Sequence, residues 1–191
     1  MRGYEKPLAS IIIWFASQTQ NSMNVEQHKV KGSELQAVRC TVITVSDTRT
    51  LQTDRSGQAI SQLLLEEGHE IVDRTVVPDE PDQISFAIRH SLGSESVDVV
   101  LLSGGTGVSK RDGTVEVVRQ FLETELPGFG ELFRSMSYQE IGAAAMLSRA
   151  VGGIGSGKIV FALPGSTNAV RLGMEKLILP ELRHLVYELR K

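Results

Sequence analysis

Val97 to Val118, VDVVLLSGGTGVSKRDGTVEVV, constrains the fold more than any other stretch of the chain. It begins with Val97, Val99, Val100, Leu101 and Leu102, a short β-branched run of the kind that forms a strand buried on both faces. Ser103-Gly104-Gly105-Thr106-Gly107 follows, then the charged Ser109-Lys110-Arg111-Asp112-Gly113. Val115, Val118, Phe121 and Leu122 then recur at helical spacing. The order strand, glycine loop, charged turn, helix predicts a parallel strand with a ligand loop at its carboxyl end. Glycines let backbone approach a ligand closely, and a following helix offers N–H groups to an anion. Lys110 and Arg111 add positive charge, while Asp112 is suited to hold a metal or orient a nucleophile. A plain strand-to-helix turn needs neither three glycines nor a Lys-Arg-Asp cluster.

The rest of the chain repeats the alternation. Strands are expected over Val38–Val45, Ile71–Val77 and Lys158–Leu163. Helices are expected around Ala59–Leu65, Ile84–Leu92, Val115–Leu122, Ala169–Leu179 and Pro180–Arg190. Pro127-Gly128-Phe129-Gly130 reads as a chain break, and Ile141–Ala150 as an amphipathic segment. Gly152–Gly157 reads as a glycine-rich connector. Alternating strands and helices predict an α/β fold, a mostly parallel sheet covered on both faces.

Residues 1–37 have a different character. Leu8–Ala16 is a nine-residue, mostly apolar run, against the roughly 20 residues that a membrane-spanning helix needs. Glu5 and Pro7 crowd its basic flank, and no cleavage site follows, so a targeting signal is disfavoured. The segment is read as an N-terminal extension, disordered or produced by a start assigned upstream of Met23. The domain proper is placed at 38–191.

The 191 residues carry a net charge of −3, which offers no nucleic-acid surface. Cys40 is the single cysteine, so a disulfide framework is excluded, and the chain suits a reducing, cytoplasmic setting with no membrane partner. His28, His69, His90 and His184 are scattered and read as surface or helix-edge residues.

Ligands of open α/β sheets bind outside the carboxyl ends of the strands. Four polar clusters fall at such ends: Ser46-Asp47-Thr48, Pro78-Asp79-Glu80, Ser103 to Asp112, and Pro164-Gly165-Ser166-Thr167. Together they supply carboxylates, cations, hydroxyls and main-chain N–H groups, the mixture that phosphoryl or nucleotidyl transfer requires. The blander alternatives are an Asx turn at Asp47, a turn or helix cap at Asp79, and a cap at Ser166-Thr167. Gly152–Ile159, GGIGSGKI, imitates a phosphate loop, but Ile159 stands where a Mg²⁺-binding hydroxyl belongs and a strand is expected where a helix should follow.

These clusters, in this order, resemble the molybdenum cofactor biosynthesis family of MoaB and MogA, related to the G domain of gephyrin. The matching stretches are TVSDTRT with DRSG, VVPDE, LLSGGTGVSKRDGT, PGFGELFRSMSYQEIG, AMLSRAVGG and FALPGST. PGFGELFRSMSYQEIG is closer to MoaB than to MogA. The resemblance implies a three-layer α/β/α sandwich assembled as a trimer or hexamer. It implies molybdopterin binding and, in active members, adenylation of the pterin's terminal phosphate by Mg-ATP with release of pyrophosphate. A non-catalytic molybdopterin carrier is the alternative. Other molybdenum cofactor enzymes are implied as partners. The two acidic positions tied to that activity match Asp79 and Asp112, expected to serve catalysis and to hold Mg²⁺. Ser46, Asp47, Ser103, Gly104, Gly105, Thr106, Gly107, Lys110, Arg111, Pro164, Gly165, Ser166 and Thr167 are the expected substrate- and phosphate-binding residues. Two departures stand out: Ser103 replaces a commoner Thr or Asn, and Gly113 a commoner Val.

Overall fold

The computed structural model describes residues 37–109 and 111–191. Apart from residue 37, the expected N-terminal extension lies outside them, and so does Lys110. Strands β1 (Arg39–Val45), β2 (Glu70–Val77), β3 (Val99–Ser103), β4 (Thr124–Glu125), β5 (Val151–Gly155) and β6 (Lys158–Leu163) form one sheet of order β2-β1-β3-β6-β5-β4. The four strands β2, β1, β3 and β6 run parallel. β5 is antiparallel to both β6 and β4. The helices are α1 (Arg55–Glu66), α2 (Pro81–Gly93), α3 (Thr114–Phe121), α4 (Pro127–Ile141), α5 (Thr167–Gly173) and α6 (Leu179–Leu189).

The central strand shows why the layers form. On β3, Val99 and Leu101 join one apolar cluster with Ile60 and Leu64 of α1, Phe133 of α4 and Leu182 of α6. Val100 and Leu102 join a second with Ile84 and Ile88 of α2 and Val115 and Val118 of α3. Adjacent residues of a strand point to opposite faces, so an uninterrupted apolar strand demands a helical layer on each side. The result is a three-layer α/β/α sandwich with a mostly parallel sheet, as expected from the sequence.

Three local readings need correction. Pro127-Gly128-Phe129-Gly130 does not break the chain; it opens α4, with Pro127 in the first turn, where its missing N–H costs nothing. Phe129 and Phe133 then pack inward against Phe161 and the core. Gly152–Gly157 is not a connector: its first four residues belong to β5, and Ser156 (φ 51°) and Gly157 (φ 67°) turn the chain directly into β6. Two consecutive positive φ values match a tight hairpin turn. Gly152 belongs in the strand because a methyl there would come within 2.5 Å of the Phe161 ring. Finally, His69 is buried rather than surface-placed. Its Nδ1 accepts the Val38 N–H at 3.2 Å, and burial, helped by Arg183, pushes its pKa down to about 4.

The end of the chain is one nearly continuous helical stretch. α5 passes through a wide turn, Met174–Ile178, into α6. Pro180 sits in the first turn of α6, as expected. Ile141–Ala150 resolves into the last residue of α4, a 3₁₀ turn over Gly142–Leu147, and the entry to β5.

Candidate functional site

The carboxyl ends of β1, β2, β3 and β6 lie side by side in the sheet, so the segments that leave them meet at one edge. Gly104, at φ 100°, lies against both neighbours. Its N–H donates to Leu163 O at 3.1 Å, and a methyl on it would meet Val45 O at 2.2 Å. Gly165 packs against the Gly104 Cα in turn. Close backbone-to-backbone approach is therefore what these glycines provide.

Above the loop lies a cleft of about 360 Å³. One wall is Gly104, Gly105, Thr106, Gly107 and Asp112, and a second is Pro164, Gly165 and Ser166. The third wall is largely apolar: Phe133 and Ile141 of α4, then Ala144 and Leu147 of the 3₁₀ turn. Ser166 caps α5, accepting the Ala169 N–H at 3.2 Å, so it does serve as a cap while it lines the cleft. Thr167 is the first residue of α5 behind it.

Next to the cleft is a charged cluster. Arg111 donates to both Asp47 oxygens, at 3.1 and 3.2 Å, to Glu80 Oε1 at 2.8 Å and to Asp79 O at 3.4 Å. Asp47 Oδ1 also accepts the Asp79 N–H at 3.0 Å, which fixes β1's exit to β2's exit. Ser46 Oγ accepts the Thr48 N–H at 3.3 Å in a local turn. Asp79 is not a helix cap, because the residue at the start of α2 is Glu80, which makes no side-chain cap bond. Burial pushes the Asp79 carboxyl up, and Asp112 and Asp47 push it the same way; the Gly113 N–H and Arg111 oppose them. Its Oδ1 is buried with no hydrogen-bond partner among the described residues.

Asp112 is not a cap either. α3 is preceded by Gly113, and the Asp112 carboxylate instead accepts the Ser109 N–H at 2.8 Å. Asp112 N–H donates back to Ser109 O at 3.1 Å, which closes the charged turn.

Ser103 departs from its expected role. It is fully buried, and its Oγ donates to Ser56 Oγ at 3.3 Å, which leaves its side chain no route to a ligand. It belongs to a polar network under the loop whose centre is Asp54, also fully buried. Asp54 Oδ1 accepts from Ser56 Oγ at 3.0 Å and Gly57 N–H at 2.9 Å. Oδ2 accepts from Thr44 Oγ1 at 2.8 Å and Arg74 Nη2 at 3.0 Å. Burial pushes the Asp54 carboxyl up, but these bonds outweigh it and hold the pKa below the usual value.

Arg149 is the residue that sequence reading missed most plainly. Its guanidinium donates to Thr106 O at 3.2 Å and Asp112 O at 2.6 Å and pairs with Glu116. It sits in AMLSRAVGG, quoted only for resemblance, and an arginine aimed at main-chain carbonyls leaves no pattern in a sequence. Lys158 of the false phosphate loop is at the other end of the sheet, donating to Ser94 O and to Val97 O at 2.8 Å. It is thereby removed from the site. Among the described residues no group of three or more His, Cys, Asp or Glu is arranged to hold a metal ion, and no helix is long and apolar enough to cross a membrane.

Fold and crevice together define an open α/β domain whose candidate ligand site lies outside the carboxyl ends of its parallel strands. A family model described as "Probable molybdopterin binding domain" matches residues 41–184, and the chain belongs to that family. A relative from Bacillus cereus, "Molybdenum cofactor biosynthesis protein B", is 50% identical over 170 residues, which is 88% of this chain and 99% of the relative. A crystal structure of a molybdenum cofactor biosynthesis protein B superposes with a TM-score of 0.79 at 53% identity, covering 81% of this chain and 96% of that one. The tungsten cofactor synthesizing protein MoaB from Pyrococcus furiosus superposes with a TM-score of 0.73 at 38% identity, covering 81% and 98%.

Proposed function

We propose that this protein acts in molybdenum cofactor biosynthesis, binding molybdopterin and adenylating its terminal phosphate with Mg-ATP. Family membership and the relatives' names support the pathway. The observation that carries the adenylation reading is the Asp79 carboxylate. It is pressed against the loop beside Asp47 and Asp112; the Gly113 N–H bonds the carboxylate, but Oδ1 is buried with no partner among the described residues. A buried acceptor left unsatisfied is costly, so a cation or a donor from a ligand is expected at Oδ1.

In the proposed reaction a pterin phosphate oxygen attacks the α-phosphorus of ATP. The bond from that phosphorus to the bridging oxygen breaks, and pyrophosphate leaves. Asp79 and Asp112 are hard oxygen donors of the type that hold Mg²⁺ together with substrate phosphates. When bound, Mg²⁺ supplies neutralisation of phosphate charge. The chain's own part is positioning. The Gly105–Gly107 backbone N–H groups, Lys110, the Gly165 N–H and Ser166-Thr167 receive phosphate oxygens, while Gly104 and Pro164 shape the cleft against them. Arg111 holds the exits of β1 and β2 in register through Asp47 and Glu80. The apolar wall of Phe133, Ile141, Ala144 and Leu147 offers a surface for a flat ring.

A trimer or hexamer belongs to the same proposal. PGFGELF contributes less to such an interface than its composition suggests, since Phe129 and Phe133 are buried in their own core. Leu132, Tyr138, Ile141, Met146 and Leu147 are exposed on α4 and the 3₁₀ turn and are the better candidates.

The test is to incubate the purified chain with molybdopterin and Mg-ATP and detect adenylated pterin by mass spectrometry. Its formation supports the enzyme. Tight pterin binding without that product supports the carrier.

A further inference from the structure

α4 and α6 leave an apolar groove between them, apart from the cleft. It offers about 570 Å³, a size that takes a few large side chains. Leu126, Phe129 and Leu132 line it from the start of α4, Leu177 and Leu185 from the wide turn and α6, and Phe161 from β6. None of its lining residues lines the cleft. Leu132 is 55% exposed, and Leu126, Leu177 and Leu185 are only partly buried. A continuous apolar surface of this kind marks a docking site.

We propose that this groove seats the chain's own Leu8–Ala16 run, LASIIIWFA, which lies outside the described residues. The run is apolar except at Ser10. It falls well short of the roughly 20 residues that a bilayer demands, so its cover must come from protein. The described chain enters beside the groove. Val38 N–H donates to His69 Nδ1, and Val38 shares one apolar cluster with Leu182 and Val186 of α6, the helix that forms one side of the groove. Residues 17–36 join the run to residue 37, and a coil of that length reaches about 25 Å. The 11 residues of α6 span only about 16 Å, so the whole groove is within reach. Ser17–Glu34 is mostly polar and suits a connector over the surface. A second copy is the poorer occupant: the exposed Tyr138, Ile141, Met146 and Leu147, offered above for subunit contact, lie at the far end of α4 and beyond it.

Trp14 is the chain's only tryptophan, so its fluorescence reports on the run directly. The probe is acrylamide, added to the full chain over a dilution series, with oligomeric state followed by light scattering. Trp14 emission should be blue-shifted and its quenching shallow, and neither should change on dilution. Gly128→Asp places a charge in the groove. A methyl at Gly128 would meet nothing within 4 Å, and a carboxylate suits the first turn of a helix, so this variant should fold. Leu132→Asp does the same from an exposed position. In both variants Trp14 should lose its protection, with emission shifted to the red and quenching raised to that of free N-acetyltryptophanamide. Neither residue lines the cleft, so pterin chemistry does not enter the readout. A parent Trp14 already as exposed as that compound overturns the proposal, as does protection that survives both substitutions. Protection that disappears on dilution in step with subunit dissociation also overturns it, and assigns the run to a second copy.

Discussion

Arg149 donates to the main-chain carbonyl of Asp112 at 2.6 Å, so the turn that bears a proposed catalytic carboxylate is tied down from the segment entering β5. The same guanidinium reaches Thr106 O on the other side of the loop. One side chain thus spans the glycine loop and its charged turn, and bidentate geometry of this kind belongs to arginine and not to lysine. Arg149→Lys should preserve the charge and lose the span. Turnover should fall about tenfold or more through misplacement of Asp112, while the melting temperature changes little. Steady-state kinetics beside a thermal melt check this; unchanged turnover would show that the loop holds itself.

Asp112→Asn separates charge from shape. Asparagine still accepts the Ser109 N–H, so the turn survives. If the carboxylate acts mainly in the transition state, turnover should drop on the order of 100-fold, about 2.7 kcal/mol. Molybdopterin affinity should change far less. Pyrophosphate release and pterin binding, measured side by side, check both halves, and equal turnover would remove Asp112 from catalysis.

Asp54→Asn tests the network beneath the loop. The substitution leaves the half-buried Arg74 facing a neutral group and puts an amide NH₂ where a buried carboxylate accepted four bonds, which costs about 1–3 kcal/mol. Chemical denaturation should show a lower midpoint with an unchanged slope. A loss under about 0.5 kcal/mol, the range of ordinary surface changes, would mean that the network is not structural.

Acid should destabilise the fold in two windows. His69, with a folded pKa of about 4, stays neutral while the unfolded chain binds a proton below about 6.5. The unfolded state then holds more protons, so stability rises with pH across this window and is lost as pH falls from about 6.5 to 4. Asp98 is mostly buried, and burial alone would push its carboxyl up. Bonds from the Arg39 side chain and N–H and from Arg190 outweigh that and hold the pKa at about 2. Its contribution, about 2 kcal/mol, is present above about pH 4 and is lost as pH falls towards 2. Urea midpoints from pH 7 down to 3 should decline along both limbs, and His69→Gln should flatten the upper one. A parent chain equally stable at pH 7 and pH 4.5 would contradict this.

The four parallel strands, their alternation with helices and both helical layers were legible because β3 is apolar from Val99 to Leu102, on both faces; the short antiparallel β4 and the glycine-rich β5 were not. The four polar clusters were legible because strand ends are where α/β sheets place their ligands. What stayed hidden was tertiary. Gly152 looks like a loop glycine until Phe161 is found against it. Pro127 looks like a breaker although it suits the first turn of α4. Ser103 stands in the motif beside Gly104, but strand alternation turns its side chain inward to Ser56. Arg149 acts through groups distant in the chain, and no spacing announces that.

The most direct test of the central claim is the rate of pyrophosphate release from Mg-ATP by the purified chain, with and without molybdopterin. Release that requires molybdopterin, and that falls on the order of 100-fold in Asp79→Asn while pterin binding persists, is the predicted result. Bound molybdopterin with no pyrophosphate release, or release indifferent to the pterin, would contradict it.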